Sequence, residues 1–123
     1  MKPLAFICLE NSVVGSQLVN RLMDLGYQPQ SVSDISQLAS QAKTGKPFVI
    51  VCSLVSKRAD VLQLIREMRA DEATKHIPVI GVTPDLSSKF HSDAVAAGAT
   101  LVVVESGVLA QLPQLLDAAL AVD

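Results

Sequence analysis

Residues 47–54 read Pro-Phe-Val-Ile-Val-Cys-Ser-Leu, and they indicate the fold class of this chain. Their apolar run is short, rich in β-branched residues and does not alternate with polar ones, which is typical of a strand buried on both faces of a sheet. Three further runs have the same character and lie at residues 4–9, 77–82 and 101–104. Residues 27–33 are more polar and contain Pro29, so they predict an edge strand.

Helical patterns separate the five candidate strands. In the first of them, apolar residues recur at helical spacing from Val13 to Leu25, and Gly26 follows as a stop signal. We expect the other helices to run from a cap at Ser33 or Asp34 to about Ala42, along the apolar stripe from Val61 to Met68, over residues 89–97 and over residues 108–122.

Strands that alternate with helices in this way predict an α/β fold, in which a parallel sheet is covered by helices on both faces. In such sheets ligands bind, and chemistry takes place, at the carboxyl ends of the strands. The candidate functional residues that follow these ends are Glu10, Asn11, Ser53, Thr83 and Glu105.

Composition excludes several classes of function. The chain has 123 residues, of which half are apolar and 18% are charged, so we expect a single folded domain. No apolar run is long enough to span a membrane, and two cysteines are too few for a disulfide scaffold, so a cytoplasmic setting is expected. A net charge of −2 and only four aromatic residues argue against nucleic-acid binding.

Several single features have a structural interpretation at this level. Cys8 and Cys52 are expected to be small buried residues of adjacent strands and not a redox pair. Arg66 and Arg69, with the two basic residues at positions 57 and 58, are expected to form a solvated helix face. The two histidines share no spacing with other possible ligands, so no metal site and no cofactor are expected.

The whole chain resembles the receiver domain of bacterial two-component response regulators. Residues 25–27, Leu-Gly-Tyr, resemble the end of the family's first helix. Residues 47–54 resemble the strand that carries the phospho-acceptor Asp, and 77–83 resemble the fourth strand with its Thr or Ser. Residues 97–99, Ala-Gly-Ala, resemble the turn before the fifth strand. The resemblance implies a flavodoxin-like (βα)5 three-layer sandwich, with a five-stranded parallel sheet in the order 2-1-3-4-5.

The chain departs from the family's pattern where the family carries its chemistry. Ser53 stands at the acceptor position, and a hydroxyl without an activating base is a poor nucleophile. The acidic pair that binds Mg²⁺ is reduced to Glu10, flanked by Asn11, and one carboxylate makes a weak Mg²⁺ site. Glu105, 52 residues after Ser53, takes the place of the family's Lys and would repel a phosphoryl group. Only Thr83 matches the pattern.

These departures predict a receiver-like module that is not phosphorylated at the usual position. We expect it to act by protein–protein interaction in a two-component or phosphorelay-type pathway, with a histidine kinase, another regulator or a second copy as the partner. No nucleophile–base pair is evident, so it is not expected to be an enzyme. Two alternatives stay open: a conventional phosphorelay receiver, and a small-molecule sensor that uses the vacated cleft at these positions.

The last helix predicts an interaction surface. One stripe, at Leu109, Leu112, Leu116 and Leu120, is expected to face the sheet. A second stripe, at Val108, Leu115, Ala118 and Val122, is expected to bind a protein partner or a second copy, because a helix that is apolar on two sides is usually buried on two sides. Pro113 leaves a later helix start open, near Gln111, with 106–110 as a loop. The alternative is that these small residues are simply tolerated at the surface.

Overall fold

The computed structural model describes residues 3–9, 12–32, 34–54, 60–83 and 88–120. The five strands are β1 (Leu4–Cys8), β2 (Gln28–Ser31), β3 (Val49–Ser53), β4 (Val79–Thr83) and β5 (Leu101–Val104). The five helices are α1 (Ser12–Asp24), α2 (Leu38–Gly45), α3 (Val61–Ala70), α4 (Ser88–Ala97) and α5 (Glu105–Leu120). A 3-10 turn, Ile35–Gln37, precedes α2.

The strands form one parallel sheet in the order β2-β1-β3-β4-β5. This confirms the flavodoxin-like order expected from the sequence. Each strand is followed by a helix, so the chain returns to the same end of the sheet before every new strand. All five carboxyl ends therefore lie along one edge, which positions the candidate functional residues together.

Two apolar layers cover the sheet, and successive strand residues point alternately into one and then the other. On β1, Ala5 and Ile7 contact the layer under α1 and α5, whereas Phe6 and Cys8 contact the layer under α2, α3 and α4. Every side chain of β3 and β4 is buried. The continuous apolar runs in the sequence are explained by this burial on both faces.

Two helix starts show how local sequence sets the boundaries. The Asp60 carboxylate accepts a hydrogen bond of 3.2 Å from the Gln63 N–H and caps α3. The Asp34 carboxylate accepts one of 3.0 Å from the Ser36 N–H. Asp34 was expected to start a helix directly, but it caps the 3-10 turn that leads into α2, and α2 itself extends to Gly45.

The end of α2 places a lysine in a conformation that favours glycine. Lys46 has a φ of 51° and a left-handed backbone, while the glycine stands one residue earlier. A Cβ atom on Gly45 would lie 2.9 Å from Cζ of Phe6. Glycine is therefore needed at position 45, where the Phe6 ring packs against the backbone of α2. The left-handed residue that ends the helix is then Lys46.

Helix α5 corrects two expectations. It begins at Glu105, directly after β5, and not near Val108 or Gln111, and Pro113 lies inside the helix and not in its first turn. Val108 is fully buried in the layer under α1 and α5, so its assignment to the outer stripe is wrong. The reason is that the buried stripe runs through Val108, Leu112 and Leu116, which are four residues apart, while Leu109 lies beside this stripe and is half-buried. No described helix is long and apolar enough to cross a membrane.

Candidate functional site

The structure brings three of the five candidate residues to one edge of the sheet. Ser53 and Thr83 end the neighbouring strands β3 and β4, and Ser53 pairs with Val82 in the register. Thr83 pairs with Val104, so Glu105 begins α5 one residue beyond this level. Ser53 and Thr83 are only 7% and 5% exposed. Glu10 and Asn11 lie outside the described residues.

The Glu105 side chain stands in the first turn of α5. The N-terminal turn of a helix carries a partial positive charge, which stabilises a carboxylate. The glutamate therefore has a local structural reason, and β5 leads into α5 without an intervening loop. For chemistry its effect is the opposite of a lysine, because its negative charge opposes the binding of a phosphoryl group at this edge.

An apolar side chain, that of Leu54, lies next to Ser53 at this site. Leu54 is buried and packs across Gly81 of β4, because a Cβ atom on this glycine would lie 2.5 Å from a Leu54 methyl carbon. The Leu54 N–H donates a 2.8 Å hydrogen bond to the Val82 carbonyl. The chain just after Ser53 is thus tied to β4, and Leu54 fills the space beside it.

Cys8 and Cys52 are buried thiols that lie opposite each other on β1 and β3. Burial, and secondarily the Cys8 thiol, raises the pKa of Cys52 to about 12. A thiol with this pKa is protonated at neutral pH and is a poor nucleophile and metal ligand. Among the described residues, no three His, Cys, Asp or Glu side chains are arranged to hold a metal ion.

The predicted interaction residues divide into three groups. Val108 is buried, and Val122 lies outside the described residues. Leu115 is half-buried and Ala118 is exposed. Near β5, the edge strand of the sheet, α4 exposes half of Val95. Strand β5 itself leaves Val102 and Val104 partly exposed. The α4–β5–α5 surface is defined here as Val95, Val102, Val104, Leu115 and Ala118.

Arg69 differs from its predicted role. This residue was expected on a solvated face, but its guanidinium is half-buried at the amino end of the sheet and donates four hydrogen bonds. Burial lowers the pKa of the Arg69 side chain. The sequence carries no signal for this role, because three of the four acceptors are backbone carbonyl oxygens, which every residue has.

A shallow groove of about 270 Å³ between α1 and α5 was also missed. Its walls are formed by Gln17, Asn20, Arg21, Asp24 and Leu109. The first four of these recur at helical spacing on α1 and are polar, so their pattern in the sequence is that of any solvated helix face. The groove is open and lies between two helices, away from Ser53 and Thr83 on their strands.

Comparison with solved structures identifies the architecture. A protein from Chloroflexus aurantiacus described as a response regulator superposes with a TM-score of 0.91, covering 99% of this chain and 100% of that one at 18% sequence identity. The chain has the fold of a response regulator receiver domain. The fold predicted from the resemblance is therefore confirmed.

Two more receiver structures agree. The receiver domain of a sensor histidine kinase from Pseudomonas aeruginosa, solved with a magnesium ion coordinated in its active-site cleft, has a TM-score of 0.87 at 21% identity and covers 98% of both chains. A Vibrio cholerae chemotaxis protein has a TM-score of 0.83 at 18% identity, covering 97% of this chain and 98% of its own. Sequence comparison alone finds neither a matching family model nor a matching curated protein.

Proposed function

We propose that this chain is a receiver-like signalling module that acts by binding another protein and is not phosphorylated at the usual position. The proposal depends on one observation above all. At the edge where the receiver fold collects the ends of its strands, β3 ends on a buried serine and α5 opens on a glutamate.

The chemistry of this edge supports the proposal. Phosphoryl transfer to a receiver requires a carboxylate nucleophile and positive charge that stabilises the transferred group. Ser53 supplies a hydroxyl in place of the carboxylate, and Glu105 supplies negative charge in place of positive. The receiver from Pseudomonas aeruginosa holds magnesium in its cleft, and we infer that this chain does not bind the ion in that way.

The fold supports a role in two-component signalling through protein contacts and not through catalysis. Receiver domains bind proteins such as kinases and regulators. In this chain the α4–β5–α5 surface presents apolar side chains along the edge strand β5. Apolar side chains grouped on a surface favour protein contacts. We assign partner binding to this surface, with Leu115 and Ala118 as its contribution from α5.

Amide NMR spectra test the phosphorylation half of the proposal. We expect Mg²⁺ followed by beryllofluoride, which mimics a phosphoryl group, to leave the amides of Ser53, Thr83 and Glu105 unshifted. The matched control is the double variant Ser53→Asp, Glu105→Lys, which restores the acceptor carboxylate and the cation. Saturable shifts in the unmodified chain would show a conventional receiver, and a melting temperature raised by a small metabolite would favour a sensor.

Self-association tests the binding half. Leu115→Glu places a charge on the α4–β5–α5 surface, while Asp117→Asn, two residues away on the same helix, removes a charge from an exposed position. If a second copy is the partner, Leu115→Glu lowers the sedimentation-derived association constant by at least about tenfold, the equivalent of about 1.4 kcal/mol. Equal association of both variants and the unmodified chain would exclude self-association through this surface.

A further inference from the structure

The described side chains of helix α4 bury little apolar area against the sheet. Over residues 91–97, the buried side chains are those of Ala94 and Ala97, and the other five residues are exposed. By contrast, α3 buries Val61, Ile65 and Met68 on the same face of the sheet. Burial free energy scales with apolar area, and segments with few buried apolar contacts open locally at low cost. For residues 91–97 of α4, polar contacts are therefore an important part of what holds the helix in position.

Arg69 provides such interactions at the carboxyl end of α4. Its Nε–H donates to the Gly98 carbonyl at 2.8 Å, and one Nη2–H donates to Thr100 Oγ1 at 3.1 Å. Both N–H groups of Nη1 are also used, since Nη1 donates to the Lys75 and Ile77 carbonyls at 2.6 and 2.7 Å. Four of the five N–H donors of a guanidinium are thus occupied.

These acceptors belong to two separate connections. Gly98 and Thr100 connect α4 to β5, whereas Lys75 and Ile77 connect α3 to β4. Thr100 Oγ1 also accepts a 3.1 Å hydrogen bond from the Val79 N–H, at the first residue of β4. The Arg69 side chain of α3 thereby joins the end of α4 to the beginning of β4.

The turn after α4 is shaped around this side chain. Gly98 has a φ of 119°, and a Cβ atom at this position would collide with Cγ of Arg69 and lie 3.1 Å from its Nε. The absence of a side chain at residue 98 thus allows both the left-handed backbone and the close approach of the arginine.

We propose that Arg69 fastens α4 to the sheet as a strap, and that loss of its hydrogen bonds opens α4 while the rest of the domain stays folded. Helix α4 carries Val95 of the α4–β5–α5 surface, so fastening and opening change the surface offered to a partner. This consequence depends on the proposed function. The strap itself depends only on the contacts of Arg69.

Hydrogen exchange tests the strap in the unliganded domain. Arg69→Lys keeps the positive charge, but three donors on one ammonium nitrogen do not reproduce the four hydrogen bonds of the guanidinium fork. The matched control is Arg66→Lys, the same substitution at an exposed position of the same helix with no side-chain hydrogen bond to the described residues. We expect Arg69→Lys to speed exchange over residues 91–100 by at least about tenfold, with the amides of β1 and β3 unchanged.

A second pair of variants changes Thr100, one of the acceptors of the Arg69 hydrogen bonds. Thr100→Val removes the acceptor shared by Arg69 and Val79, whereas Thr100→Ser keeps the hydroxyl. Thr100→Val is expected to speed exchange over the same residues, and Thr100→Ser is not. Equal acceleration in β1 and β3, or no acceleration over residues 91–100 in either Arg69→Lys or Thr100→Val, would overturn the strap.

The outcomes separate the strap from the proposed function. Selective exchange in α4, combined with saturable beryllofluoride shifts at Ser53 and Thr83, would keep the strap and overturn the proposed function. Uniform exchange combined with unshifted amides would do the reverse.

Discussion

At the amino end of the sheet one guanidinium donates four hydrogen bonds to the connections around it, whereas at the carboxyl end β3 and β4 finish on two buried hydroxyl groups beside a carboxylate. The first arrangement holds elements together, and the second stands where receivers carry their chemistry. The apolar layers hold the sheet and the helices together, and the amino-end contacts of Arg69 connect α3 to the end of α4. Under the proposed function, the residues at the carboxyl end are those in which this chain differs from a phosphorylated receiver.

Breaking the amino end should have the largest effect. Gly98→Ala adds a Cβ atom that collides with Arg69 and forces alanine into a left-handed backbone. We expect it to lower the free energy of unfolding by about 3 kcal/mol or more, measured by urea denaturation. Gly26→Ala is the control, because Gly26 has a φ of 89° with no atom near its missing side chain. This control should lose only about 1–2 kcal/mol, and an equal loss in both variants would contradict the role of Arg69.

Crowding the carboxyl end should have an intermediate effect. Gly81→Ala brings a methyl group against Leu54, whose Cγ would lie 2.7 Å from the new Cβ atom. Overpacking of this kind lowers the free energy of unfolding by about 1–3 kcal/mol. In a double-mutant cycle, Leu54→Ala should relieve part of this loss, because it removes the atoms that are crowded. Additive losses would show that the two residues do not oppose each other.

A pH titration tests the burial of the Cys52 thiol, which lies one residue before Ser53 in β3. The pKa of Cys52 is raised to about 12 in the folded chain, so the unfolded chain loses the thiol proton at a lower pH than the folded chain does. Above the pKa of the unfolded chain, deprotonation therefore favours unfolding. The stabilising contribution of the protonated thiol is therefore complete below about pH 9 and declines as the pH rises toward 12. Between pH 7.5 and 10 we expect a loss of about 1–2 kcal/mol that is smaller in Cys52→Ala, which keeps only the buried Cys8 thiol. Parallel pH profiles would contradict the burial of this thiol.

The smallest effect is expected at the end of α2. Lys46→Gly places glycine at a φ of 51°, where it has no steric penalty, and should raise the free energy of unfolding by up to about 1 kcal/mol. Lys43→Gly is the contrasting variant, since Lys43 lies within α2, where glycine is destabilising by roughly the same amount; this variant also removes the ion pair between Lys43 and Asp71. A loss of stability in Lys46→Gly would show that the lysine side chain contributes more than its backbone strain costs.

The elements that the sequence predicted best are those with an unbroken apolar signal. The run at residues 101–104 is β5 without change, and the other three runs differ from their strands by one or two residues at the ends. The start of α5 was missed because residues 105–107, Glu-Ser-Gly, carry no apolar periodicity. Pro113 also suggested a helix start, although α5 continues through it. Val108 was misplaced because the stripe facing the sheet was predicted to begin at Leu109, whereas it runs through Val108, Leu112 and Leu116.

For the candidate site, prediction succeeded where neighbouring strands alone set the geometry. Ser53 and Thr83 end adjacent parallel strands, and strand order follows from the alternation of strands and helices together with the resemblance. The α1–α5 groove and the Arg69 network were not predicted, because each combines residues of helices whose mutual position depends on packing.

Residue types and their periodicity were enough to predict the α/β fold class and the edge at which Ser53, Thr83 and Glu105 gather. The prediction that Ser53 stands at the acceptor position comes from the resemblance to receivers. Three findings required the packed chain: Arg69 joins α3 to the end of α4, Gly98 leaves space for it and Val108 is buried. These contacts involve backbone carbonyl groups and packing between elements distant in the chain. Neither leaves a mark on the types of the residues that make them.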